Sequence, residues 1–581
     1  MNTDRCNRFI LSRLIISILF FYICVPTLAV TKDDSLKVSS GWHAPLSIPA
    51  SLSANYGEIR GTHFHMGIDL RVGGVIGEPI LAVKEGYVSR ISVSPSGYGN
   101  AIYITHPDGM ISVYGHLHDF VHEIAEYVKK EQYAKESFRV NIYPAKDEIK
   151  VEAGQKIGRA GNTGSSGGPH LHLEIREGEA APLNIISRGY ISVNDNIAPQ
   201  FNSIAFYSYC DTTGVIETTL LRKIRGSVKE IIELPERSFI GIEANDRQNG
   251  THSKLAIEEY RLYLDDQEIW SFKTGEFLYS ESGYINSVID YEQYLTSKAN
   301  ILKTFIEPGN ILYHKYRTSS QGLIELNDDK THKLRVEIYD EHGNRSSRTF
   351  NIKRKKESLS VSDISSGNNI FIPWFKPNYI IKDGFDLYLP VASIYRSIWL
   401  NVSSKPAVGS ENGGIFSDIW SIHTPLTPMH RSGYLKIEVN VPDSLQSKAL
   451  FANVSLSGGL SAAGGYYKDG YVRGNIGSFG DYCVTVDTIP PIITPRFKSS
   501  SKTVTSRSLD FTIRDEFSGI NSYRAEIDGK WILAEFDQKN RKLSVILDKE
   551  IVKKGKESEL VLTVTDNKGN TSQHKYKFVW K

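Results

Sequence analysis

A mainly β chain built from several domains is predicted by three observations. Past residue 190, short alternating strands recur between turn signals, as in Leu334-Arg335-Val336-Glu337-Ile338 before Asp340-Glu341-His342-Gly343-Asn344. A motif repeats: Asp340-x-x-Gly343-Asn344-x-Ser346 returns as Asp566-x-x-Gly569-Asn570-x-Ser572, and Asp195-x-Ile197-x-Pro199 returns as Asp487-x-Ile489-x-Pro491. Upstream, His170-Leu171-His172-Leu173-Glu174-Ile175 alternates with strict period two. The 581 residues suggest about four domains.

Composition narrows the class. The chain is 40% hydrophobic, 23% charged and 11% aromatic, too rich in apolar and aromatic residues for a disordered chain. Its 68 Lys+Arg against 66 Asp+Glu give +2, and residues 1–29 carry both surplus charges through Arg5, Arg8 and Arg13 against Asp4. The neutral remainder argues against nucleic acid or an anionic membrane as a partner.

Residues 1–29 read as an export signal: arginines, an apolar run from Leu14 to Cys24, and Thr27-Leu28-Ala29 as the cleavage site. The run is shorter than the roughly 20 residues of a membrane span, so no span is expected after cleavage. A periplasmic, envelope-associated or secreted location follows. Cys6 and Cys24 leave with the signal; Cys210 and Cys483 stand too far apart to read as a disulfide framework.

Chemistry concentrates before residue 190, since nine of the 16 histidines lie between His43 and His172. In the alternating strand, His170, His172 and Glu174 face one cleft while Leu171, Leu173 and Ile175 face a core. His65-Met66-Gly67-Ile68-Asp69 is the second fragment. Ligands of one zinc ion lie within roughly 4 Å of each other, whereas four strand steps span about 13 Å, so the chain must bend, and Gly67 permits it. Ile111-Ser112-Val113-Tyr114-Gly115-His116 is the third, a strand reached through the turn Pro107-Asp108-Gly109 that delivers His116. The glycine-rich stretch Gly161–Pro169 lacks a phosphate-loop ending and reads as a close-approach wall for an extended ligand.

These residues, together with Gly77-x-Pro79-x-x-Ala82-x-x-x-Gly86-x-Val88, Gly97-Tyr98-Gly99-Asn100, Tyr114-Gly115-His116-Leu117 and Gly158-x-x-Gly161-Asn162-Thr163-Gly164, resemble the lysostaphin-type zinc metalloendopeptidases, which cut peptidoglycan peptides. The resemblance covers about 56–186. It implies a β-sheet groove of duplicated hybrid-motif type. It also implies one Zn2+ per chain held by His65, Asp69 and His172, with His116 and His170 as non-ligand catalytic histidines. Zinc lowers the pKa of bound water towards about 7 and polarises the scissile carbonyl, while a neutral imidazole takes the water's proton. By that analogy His116 is the base and His170 orients water or stabilises the oxyanion. Glu174 reads equally as a partner of a histidine or as a solvated edge carboxylate. His63 reads as second-sphere or solvated, His106 and His118 as turn and surface residues, and Glu58-Ile59-Arg60 as a surface ion pair or a groove contact.

Between Leu117 and Val151 the chain is longer than the family pattern. Asp119 is expected to cap an amphipathic helix carrying Phe120, Ile124 and Val128, within an insertion at about 119–150 that covers a groove end or binds a partner. The predicted organisation is a signal at 1–29, a zinc metallopeptidase domain at 30–190, Ig-like β-sandwiches at 195–355 and 487–581, and a β domain of undetermined type at 358–486. The first sandwich carries an insertion around Gly275–Asp328. No catalytic residue types cluster in these modules, so a chain ending near 190 is expected to keep peptide cleavage. Their expected role is spacing, or docking to carbohydrate or to a cell-envelope protein.

The function expected is a secreted zinc metalloendopeptidase acting on peptidoglycan stem peptides or cross-links. Two alternatives are a non-catalytic regulator of wall hydrolases on the same fold, which should have lost ligands, and an adhesive or scaffolding β-sandwich array.

Overall fold

The alternation at 170–175 forms a strand buried in the middle of a ten-stranded sheet. The computed structural model describes residues 42–48, 51–191, 193–212, 214–355, 369–407, 414–498 and 500–581; the expected export signal, with Cys6 and Cys24, lies outside them. The first region, here called the head, contains β1 (Leu52–Ala54), β2 (Ile68–Arg71), β3 (Pro79–Leu81), β4 (Gly86–Val93), β5 (Asn100–Thr105) and β6 (Met110–Phe120). Helix α1 (His122–Lys135) follows, then β7 (Val140–Ile142), β8 (Lys150–Val151), β9 (Lys156–Ala160) and β10 (His170–Glu177). The sheet runs β1-β2-β10-β6-β5-β4-β7, with β9 joining β3 to β6 and β8 joining β4. Ile68, Leu70, Leu171, Leu173 and Ile175 enter one apolar core with Ile102, Ile104 and Leu117. The opposite face of β2 and β10 is left to polar side chains.

The helix expected in the insertion exists, but Asp119 does not cap it. Strand β6 continues through Phe120 and pairs Asp119 with Arg159 of β9, and the two side chains form an ion pair. The helix starts after Val121, which offers no side-chain cap, and buries Ile124, Val128 and Gln132. A capping side chain needs to stand free at the helix entrance; here sheet pairing claims it first.

Residues 200–354 form two sheets, of five and six strands, around Phe206, Ile240, Leu262, Trp270, Val336 and Phe350. Residues 370–486 add two five-stranded sheets and a two-stranded pair around Phe385, Leu435, Phe451 and Tyr482. Residues 492–580 add sheets of four and five strands around Phe511, Ile527, Leu562 and Phe578. Cys210 lies in the strand Gln200–Thr212 and Cys483 in the strand Gly480–Val486.

Packing crosses the boundary that composition suggested near residue 190. Tyr56, Phe64 and Met66 of the head are buried in the core of the 200–354 sheets, where Phe64 stacks on Phe277 with centroids 4.3 Å apart. Phe277 begins an excursion carrying three short helices, Tyr279–Ser282, Ile285–Val288 and Tyr291–Ser297, that lies against residues 57–66.

Candidate metal centre

Register brings the candidate residues together. In β10, His172 lies opposite Asp69 of β2 on one side and Gly115 of β6 on the other. His65 precedes β2 and turns in at the bend at Gly67. A Cβ on Gly67 would stand 2.6 Å from the Leu173 carbonyl oxygen and 3.0 Å from the His172 ring, so glycine is needed there for close approach to β10.

Three donor atoms converge. His65 Nε2 is 3.1 Å from Asp69 Oδ1 and 3.1 Å from His172 Nδ1, and His172 Nδ1 is 2.8 Å from Asp69 Oδ1. The far side of each ring is fixed: His65 Nδ1–H donates to the Asn55 carbonyl at 2.8 Å, and His172 Nε2–H donates to Glu174 Oε1 at 2.8 Å. His65, Asp69 and His172 are 5–6% exposed.

Electrostatics at this cluster are those of a cation site holding a proton. Burial alone would raise the Asp69 carboxyl, but His65, with His170 and His172 alongside, holds it well below the usual carboxylate range. Burial disfavours a charged His172, yet acceptors on both ring nitrogens, Asp69 and Glu174, push it up to about 9. A buried carboxylate facing two imidazole nitrogens at hydrogen-bond separation suits a small divalent ion, whose binding displaces that proton. The residues present therefore fit zinc.

His116 and His170 flank the cluster, their ring centroids 4.8 Å apart. His116 Nδ1–H donates to the Thr163 carbonyl at 2.8 Å, which places the ring's lone pair on Nε2. Burial, with His172 and His170 alongside, pushes its pKa down to about 3, so the ring is neutral. Its backbone has φ 60°, a left-handed conformation that costs a non-glycine residue energy and concentrates at functional sites. His170 Nδ1–H donates to the Gly168 carbonyl at 2.8 Å, and its Nε2 is 3.5 Å from Asp69 Oδ1.

The glycine-rich stretch supports this arrangement differently from the ligand wall expected of it. A Cβ on Gly164 would lie 2.3 Å from the Gly97 oxygen and the Gly99 nitrogen, so its close approach is to the protein's own turn, while Gly167 and Gly168 face open space. Thr163, which holds His116, is itself fixed by donating from Oγ1 to the Leu117 carbonyl at 2.9 Å.

Several supporting residues escape sequence reasoning. Glu174 is fully buried and no edge carboxylate: Arg176 Nε donates to Oε2 at 2.7 Å, Tyr279 from the excursion donates at 2.5 Å, and Tyr98 also donates to it. Burial opposes its ionisation, but His172, Arg176 and Tyr279 hold it down at about 2. Arg60 is not only a partner of Glu58, since its Nη2 binds Asp69 Oδ2 at 3.1 Å. His106 is buried, bonded to the Glu85 carbonyl and Ser112 Oγ, because it closes the β5–β6 turn from inside. His63 and His118 are exposed. Only Glu174, in phase with the two histidines, had a local signal; Tyr279 lies 105 residues away.

Comparison with known proteins agrees with this site. Peptidase family M23 matches residues 63–135 and 139–184, and a Zu5-like domain matches residues 369–487. The chain is 30% identical over 159 residues to the murein hydrolase activator NlpD of Salmonella dublin, 26% of this chain and 34% of the relative. It is 32% identical over 123 residues to the DD-carboxypeptidase/endopeptidase Mpg of Neisseria meningitidis serogroup B, 21% of this chain and 22% of the relative. It thus spans about a third of the length of the first and about a fifth of the second. Against lipoprotein NlpD of Yersinia enterocolitica it is 33% identical over 105 residues, 18% of this chain and 84% of the relative. Among solved structures, the catalytic domain of lysostaphin from Staphylococcus simulans is 27% identical over 24% of this chain and 84% of that chain, with a TM-score of 0.16. With His65, Asp69 and His172 inside the matched segment, the chain belongs to peptidase family M23.

Proposed function

We propose that the protein is an exported zinc metalloendopeptidase that hydrolyses peptide bonds in peptidoglycan stem peptides or cross-links in the cell envelope. The observation that carries this reading is the convergence of His65 Nε2, Asp69 Oδ1 and His172 Nδ1 beside two further histidines of fixed tautomer. His65, Asp69 and His172 would hold one zinc ion per chain. Bound there, zinc supplies a Lewis acid that polarises the scissile carbonyl and acidifies water. His116, neutral with its lone pair on Nε2, accepts the water's proton and returns it to the leaving amine. His170, its Nδ1–H held by the Gly168 carbonyl, presents its Nε2 lone pair to the attacking water and orients it by accepting a hydrogen bond. Arg60 and Glu174 hold Asp69 and His172 in place.

The relatives named as a murein hydrolase activator, a DD-carboxypeptidase/endopeptidase and a lipoprotein support substrate and location. One of them is named as an activator, which favours a second reading: a regulator that binds wall hydrolases. The complete donor set favours catalysis, since loss of any ligand would break the open three-ligand site.

Metal analysis and mass spectrometry of fragments from defined wall peptides test the proposal. Stoichiometric zinc and new amine termini are expected from the wild type, and emptied sites from His65→Ala, Asp69→Ala and His172→Ala. His116→Ala and His170→Ala should keep zinc while lowering turnover by roughly 10²–10⁴. Zinc loss in either would make that residue a ligand, and a zinc-loaded wild type that cuts nothing but stimulates a second hydrolase would establish the regulator.

A further inference from the structure

We propose a second metal site, for a calcium-like divalent cation, formed by Asp195, Asp246 and Asp340 where the head joins the 200–354 sheets. The three residues come from the segment leading into the first strand, the loop after the strand Arg237–Asn245, and the turn between Thr331–Tyr339 and Arg345–Arg354. One carboxylate oxygen from each lies within 4.8 Å of the others. Asp246 and Asp340 are 3% and 4% exposed, and the Asp195 side chain is 3% exposed. Among the described residues no lysine or arginine forms an ion pair with any of them, and His342 Nδ1 stands 3.8 Å from Asp195 Oδ2.

Hydrogen bonds satisfy only part of this charge. Asp340 Oδ1 accepts from the backbone N–H groups of His342 and Asn344 and its Oδ2 from Asn344 Nδ2, and Asp195 Oδ1 accepts from the Ile197 N–H. Asp246 Oδ1 is buried without any partner. A buried carboxylate oxygen lacking a donor and facing two more carboxylates is costly unless a proton or a cation shares it. Oxygen donors alone select a hard ion.

The sequence repeat supplies an internal control. Asp487, Asp515 and Asp566 converge in the same way in the last module. There Asp515 Oδ1 accepts from the Phe517 and Gly519 N–H groups at 3.1 and 2.6 Å, and Asp487 Oδ2 from that of Ser518 at 3.1 Å. Lys568 occupies the place of His342, its charge acting on Asp487 and Asp566. The copies differ at the third aspartate: Asp515 Oδ1 has two N–H donors where Asp246 Oδ1 has none.

Occupancy would fasten the loop that clasps the head. Gln248 Oε1 accepts from Leu52 N–H at 2.9 Å, and Ala256 exchanges hydrogen bonds with the Asn55 side chain. The Asn55 carbonyl is the one that orients His65.

Calorimetric titration of calcium into the zinc-loaded full chain tests the site. One equivalent is expected to bind, raising the melting temperature by about 5 °C at saturation. Asp246→Asn should weaken calcium binding at least tenfold yet melt no lower than wild type without calcium, since it replaces a buried carboxyl whose Oδ1 has no partner. Asp515→Asn should bind calcium as wild type does. Absence of calcium binding at millimolar concentration, undiminished binding by Asp246→Asn, or loss of binding in Asp515→Asn would each overturn the proposal.

Discussion

The head is gripped in two places, and the two grips differ in kind. On the His65 side the contact is a shared core: Tyr56, Phe64 and Met66 are at most 4% exposed, Tyr56 hydroxyl accepts from Phe277 N–H at 2.8 Å, and Tyr279 donates to Glu174. The residues after 369 reinforce it, since Tyr395 donates to the Gly283 carbonyl at 3.0 Å and His430 packs on Tyr284. On the α1 side the last module makes a rim contact: Lys129 pairs with Asp548 at 2.7 Å, Glu136 with Arg524 at 2.7 Å, and Tyr133 meets Trp531 edge-on. Lys539 reaches the Asn162 and Ser166 carbonyls. A module that shares a core with the site is part of the site's structure; one attached through ion pairs, one edge-on aromatic pair and the half-buried Phe138 is an accessory.

Truncation breaks this comparison most sharply. Ending the chain near residue 190 exposes three large side chains worth roughly 1.5–3 kcal/mol each, a sum comparable with a whole domain's stability. That form should lose stoichiometric zinc and hydrolysis, against the separability expected from the sequence, whereas a chain ending at 486 should still cut soluble peptides. Zinc content and peptide turnover of the two truncations decide it.

Glu258, buried at the same junction, gives the next effect. Burial pushes its carboxyl up to about 7, against the opposing pull of Lys273, the Gly275 N–H and Lys315 and with Glu259 and Glu341 nearby. Between pH 4.5 and 7 the folded chain keeps a proton that the unfolded chain has released, so this contribution falls as pH rises through that window. Glu258→Gln should remove up to about 3 kcal/mol of that slope and exceed wild type in stability above pH 7. Urea unfolding at pH 5 and pH 8 measures it.

Tyr279→Phe sharpens the comparison inside the site. Glu174 loses one donor but keeps His172, Arg176 and Tyr98, so zinc affinity should fall roughly 10- to 100-fold with the fold intact, measured by chelator competition. The smallest effect belongs to the rim. Lys129→Ala or Arg524→Ala should cost less than about 1 kcal/mol and leave peptide turnover unchanged, because partly exposed ion pairs contribute little.

What the sequence made legible was local. Period two in 170–175 fixed the face of His170, His172 and Glu174, and the spacing of His65 and Asp69 required the bend found at Gly67. The reason for the glycine differed, being the nearness of β10 rather than backbone freedom. Asp119 was misread because a capping side chain and a paired strand residue look alike without knowledge of β9. Arg60 offered no sign of its bond to Asp69, and Tyr279 none of its reach to Glu174, since such contacts depend on how separate segments pack.

The shared core also sets an order of events in time. Tyr56 meets Phe277 across 221 residues of chain, which synthesis at about 5–20 residues per second supplies only after roughly 10–40 s. Until then Tyr56, Phe64 and Met66 lack the core they fill. The metal centre is therefore assembled late, after its own polypeptide has largely emerged, and a prematurely ended copy lacks the packing that holds the segment before β2.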